Sequence, residues 1–81
     1  REQRKLSFKQ KHALETLPAR METLRDKARA IDAAMADPEL YAKDRARFDR
    51  LTAAAADTAS ALAAAEDEWL ELEMLREELE G

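Results

Sequence analysis

Eleven cations are the residues of this chain with the most chemistry to offer. Lys5, Lys9 and Lys11 lie near the start, Arg20, Arg25, Lys27 and Arg29 follow, and Lys43, Arg45, Arg47 and Arg50 cluster near the middle. Ammonium and guanidinium groups strung along a chain neutralise phosphates, a form of binding that is independent of base sequence and weakens with salt. All eleven are therefore candidates for contact with a nucleic-acid backbone. The plainer reading is a solvated face that answers acidic partners within the same chain. Glu22 and Asp26 interleave the second group, and Asp44 and Asp49 the third.

Other chemistries lack their parts. His12 is the only histidine and there is no cysteine, so no zinc set can be assembled. Glu66, Asp67, Glu68, Glu71 and Glu73 are crowded in sequence. On a helix such carboxylates point in different directions and form no oxygen cage for a divalent cation. Acid–base catalysis by paired carboxylates needs a pocket that shifts their pKa values, and nothing in this pattern builds one. The single glycine is Gly81, so no glycine-rich loop brings backbone amides up to a phosphate. No catalytic, metal or cofactor site is expected, and the chain is not expected to be an enzyme on its own. No apolar run approaches the roughly 20 residues of a membrane span. No secretory leader pattern occurs either, and a cytoplasmic location is expected. A membrane-surface helix would want a basic polar face and bulky aromatics, whereas the second half of this chain is acidic and rich in alanine.

The elements that position the cations are written in the apolar spacing. Leu14, Leu17, Met21, Leu24, Ala28, Ile31 and Met35 step by three and four. So do Phe48, Leu51, Ala55, Thr58, Leu62, Ala65, Trp69 and Leu72, with Leu79 in phase beyond. This is the seam of a coiled coil, written twice. Between the runs, Asp37-Pro38-Glu39-Leu40-Tyr41 interrupts any single helix, because the residue before proline avoids helical backbone and proline lacks an N–H. The expected fold is all-α: an antiparallel two-helix coiled-coil hairpin spanning 7–81. Helix one covers about 8–36, the tip about 37–44 and helix two about 45–79, with residues 1–6 as the end of a basic linker. Ser7 and Gln10 form a capping box at the start of helix one. Pro38–Tyr41 is expected to make a turn of its own, and Asp44 to cap helix two. Pro18 is expected to kink or break helix one, since an interior proline costs about 3 kcal/mol. Helix two would be about 50 Å long.

Charge fits the fold-back. Residues 1–31 hold nine Lys/Arg against four Asp/Glu, and residues 51–81 hold one against nine. Antiparallel pairing sets the basic start beside the acidic end, and each relieves the other's unfavourable placement on its helix dipole. In an antiparallel seam the position numbers within each layer sum to 79 or 86. The second choice gives Met35–Leu51, Ile31–Ala55, Ala28–Thr58, Leu24–Leu62, Met21–Ala65, Leu17–Trp69 and Leu14–Leu72. It also sets Arg20 by Glu68 and Lys11 by Glu73, and it is the preferred register. Trp69 and Phe48 then belong to the core, Phe8 covers the base of the hairpin, and Tyr41 packs with Leu40 under the tip.

Four segments in order carry a family resemblance: Lys5-Leu6-Ser7-Phe8-Lys9, Leu14-Glu15-Thr16-Leu17-Pro18-Ala19-Arg20-Met21-Glu22, Ala36-Asp37-Pro38-Glu39-Leu40-Tyr41 and Glu68-Trp69-Leu70-Glu71-Leu72-Glu73. In order they span residues 5–73, nearly the whole chain, and resemble the C-terminal coiled-coil domain of Uup-type ABC-F ATPases. The resemblance implies a non-catalytic arm carried by two tandem ATP-binding cassettes, which would hold ATP and Mg. It implies a nucleic-acid partner, DNA or the ribosome, for the eleven cations, with the cassettes of the same polypeptide as the other partner. No membrane partner is implied, and the hairpin is expected to be a monomer. A net charge of −4 departs from a basic DNA-binding tail. A second reading fits the same residues: a structural module that docks on the cassettes or self-associates and never meets nucleic acid.

Overall fold

Leu, Ala, Glu, Lys and Arg are good helix formers, and the three-four spacing gives each helix one apolar stripe to bury. The computed structural model describes residues 5–80. The first four residues of the expected linker, and Gly81, lie outside the described residues. Three helices follow in order: α1 (Phe8–Met35), α2 (Leu40–Lys43) and α3 (Arg45–Glu80). The two long helices fold back on each other in a rod 67 × 17 × 14 Å.

The ends of the elements are set by side chains. Ser7 Oγ accepts the Gln10 N–H at 3.0 Å and Gln10 Oε1 accepts the Ser7 N–H at 2.9 Å, which closes the capping box. After Met35, Asp37 Oδ1 accepts the Glu39 N–H at 2.9 Å and the Asp37 carbonyl accepts the Leu40 N–H at 3.2 Å. These two bonds use Pro38 and Glu39 in a tight turn, so the short helix begins at Leu40, two residues later than the proline suggests. Asp44 then caps α3: its Oδ1 accepts the Arg47 N–H at 3.0 Å.

The seam is where the core lies. Leu17, Met21, Ile31, Thr58, Ala65 and Leu72 are buried, every other seam residue is half-buried, and Leu40 is buried beneath the tip. Leu17, Met21, Ala65 and Leu72 form one cluster, with Leu14, Leu24, Leu62 and Trp69 packed against it. This cluster matches the layers whose numbers sum to 86. In the other register Leu72 would face Ser7, outside the apolar run of α1.

Three expectations need correction. Of the kink or break expected at Pro18, the break does not occur: α1 is continuous through it. Leu17 and Met21 on either side are buried, and burying each stabilises by roughly 1.5–3 kcal/mol, enough to offset the proline. Phe8 does not cover the base; it is 85% exposed and stacks on His12 at 6.4 Å. Tyr41 is not under the tip but beside it, 53% exposed. Its ring meets Phe48 edge-on at 5.0 Å, and the Arg45 guanidinium lies 4.4 Å above it.

Candidate nucleic-acid interface

All eleven candidate cations are exposed, so what separates them is whether each already has a partner. Arg25 reaches across the seam to Glu66 at 3.3 Å. Arg29 pairs with Asp26 and Lys43 with Glu39 on their own helices. Arg45 Nε donates to Asp49 at 3.0 Å and another of its nitrogens donates to the Tyr41 hydroxyl at 2.8 Å. Among the described residues, Lys9, Lys11, Arg20, Lys27, Arg47 and Arg50 form no ion pair. Lys5 is exposed ahead of the capping box.

The expected pairs Arg20–Glu68 and Lys11–Glu73 do not form. Glu73 binds Arg76 on its own helix instead, and Glu80 stands 3.6 Å from the same guanidinium. The hydrogen bond to Glu73, and then that carboxylate's charge, raise the Arg76 pKa. A partner three residues away on one helix needs less ordering of long side chains than a partner across the seam, which decides between exposed pairs worth at most about 1 kcal/mol. Lys11 and Glu73 do line one open cleft at the base, with Leu6, Leu14, Glu15, Arg76 and Glu80.

Helical spacing sorts the α1 cations onto two flanks of the seam. Lys9, Arg20 and Lys27 are separated by eleven and seven residues, spacings that return to the same side of a helix of 3.6 residues per turn. Thr16 and Thr23 fall on the same stripe, and within α1 no carboxylate does. Lys11, Glu15, Glu22, Arg25 and Arg29 occupy the other flank, where the Arg25 and Arg29 charges are answered. Sequence reasoning treated the α1 cations as one surface. The spacings of seven, eleven and eighteen were the signal that divides them.

A family model described as ABC transporter C-terminal domain matches residues 5–74. The chain belongs to that family. No curated protein and no solved structure matches it. As an ABC transporter C-terminal domain, this hairpin carries no nucleotide-binding cassette and is not catalytic by itself; it is a non-catalytic arm of an ABC protein. Within the described residues no helix is long and apolar enough to cross a membrane, and no group of side chains is arranged to hold a metal ion.

Proposed function

We propose that this domain is the C-terminal arm of a Uup-type ABC-F ATPase and touches the phosphate backbone of DNA or ribosomal RNA. The parent protein would bind ATP and Mg in its cassettes and act in the cytoplasm. One observation carries the reading: Lys9, Arg20 and Lys27 form a stripe without carboxylates along α1, and among the described residues none of the three is in an ion pair. Eighteen residues at a rise of about 1.5 Å make the stripe about 27 Å long, enough to meet several phosphates. Arg47 and Arg50, at the start of α3 and without an ion pair among the described residues, add charge near the tip. The −4 net charge opposes tight binding by the arm alone, so its contact adds to what the parent supplies.

The test is a salt-titrated binding assay on the 81-residue chain with duplex DNA, single-stranded DNA and ribosomes in parallel. Each phosphate contact contributes about 0.9 to the slope of log K against log salt on duplex DNA. Replacing Lys9, Arg20 and Lys27 together by Gln is expected to flatten the slope by about 2–3. Replacing Arg25 and Arg29 by Gln is expected to change it much less. Equal losses from the two sets, or no salt-dependent binding to any of the three, overturn the proposal; the latter favours a module that docks on the cassettes.

A further inference from the structure

The seam uses one face of α3, and the face opposite has no partner among the described residues. Leu70 and Met74 lie on that outer face one turn apart, 53% and 61% exposed. Steps of three and four towards the helix start lead through Asp67, Ala63, Ala59 and Ala56 to Thr52, all exposed. Residues at these spacings share a face, so the row runs along most of α3 with one charge in it. Its large side chains lie in one half and its small ones in the other.

Charge along α3 is polarised in the same sense. Its first turns carry Arg45, Arg47 and Arg50 against Asp49, whereas residues 66–80 carry eight carboxylates against Arg76. A partner that fits this face must present small residues and positive charge to the Leu70–Met74 end, and large residues and negative charge to the other. The first half of α3 itself has those properties.

We propose that the outer face of α3 pairs with the same face of a second copy, the two helices antiparallel about a two-fold axis beside Ala63. Leu70 then faces Ala56 of the second copy, Met74 faces Thr52 and Asp67 faces Ala59. Large against small is the device already used in the seam, where Met21 and Ala65 lie in one cluster. The antiparallel arrangement sets Arg45 and Arg50 beside the Glu77–Glu80 end of the second copy; a parallel one would stack two acidic ends. A two-fold contact uses the same surface twice and closes at two copies. The inward seam and the nucleic-acid stripe on α1 play no part in it; of the cations invoked in the proposed function, it uses Arg50 alone.

The chain has no cysteine, which makes single-thiol variants clean reporters. Ala63→Cys sits on the proposed axis, where two Cα atoms can approach within the roughly 4.4–6.8 Å that a disulfide spans. Oxidation is expected to give a covalent dimer with Ala63→Cys and none with Ala30→Cys, on the outer side of α1. In sedimentation equilibrium the mass is expected to rise with concentration from 9.2 kDa towards twice that. The double variant Leu70→Gln/Met74→Gln is expected to stay at the monomer mass with its helical circular dichroism intact. A wild-type mass that never rises, equal cross-linking of the two thiols, or association of the double variant each overturns the proposal. So does a monomer that binds a lysine-rich peptide through Leu70 and Met74, which would assign the face to a cationic partner instead.

Discussion

Replacing Thr58 by Val is expected to stabilise this domain. Thr58 lies in the seam at 2% exposure, and its hydroxyl has no hydrogen-bond partner. A buried polar group left unpaired costs about 1–3 kcal/mol. Valine keeps the branched shape, has about the same helix propensity and exchanges the hydroxyl for a methyl that belongs in an apolar layer. A gain of about 1–2 kcal/mol follows. For a domain of 60–100 residues each kcal/mol moves the melting temperature by about 4–8 °C. Thr58→Ser keeps the hydroxyl and removes a buried methyl, so it is expected to melt below the wild type. The ordering Val above Thr above Ser, read by circular dichroism melts and urea titrations, is the signature sought. A valine variant that melts at or below the wild type would refute the reasoning, and would mean that the hydroxyl finds a partner in solution.

Pro18→Ala restores an N–H to the Leu14 carbonyl at an exposed site inside α1. It is expected to stabilise by up to about 3 kcal/mol, seen as a later urea midpoint; a gain near zero would show that α1 accommodates the ring without loss. Asp44→Ala removes the side-chain bond to the Arg47 N–H and is expected to cost about 1 kcal/mol, with an earlier urea midpoint at an unchanged slope.

The seam was legible in the sequence because it rests on large terms. Each Leu, Ile or Met taken out of water contributes kilocalories, and a slip of one heptad would leave Trp69 and Leu72 facing Gln10 and Ser7. The caps at Ser7 and Asp44 were legible for a different reason: they are local, and residue type and spacing define them. What the sequence did not reveal is the choice among weak alternatives. Glu73 could take Lys11 across the seam or Arg76 along its own helix, and the difference is a fraction of a kcal/mol. Tyr41 stays beside the tip because Arg45 supplies both a cation over its ring and a donor to its hydroxyl. No periodicity encodes that choice. Pro18 looked like a breaker because a propensity counts the local penalty and not the buried neighbours that outweigh it.

The proportions of the rod have a mechanical consequence. At 67 Å long and 17 Å across, with one short turn at its end and an unbroken α3 along its side, the hairpin is a lever. A rotation at its base small enough to leave every seam contact intact sweeps the tip through a far larger arc. Motion where the hairpin joins its parent would therefore reach Arg47 and Arg50 amplified, with no change of fold between the two ends.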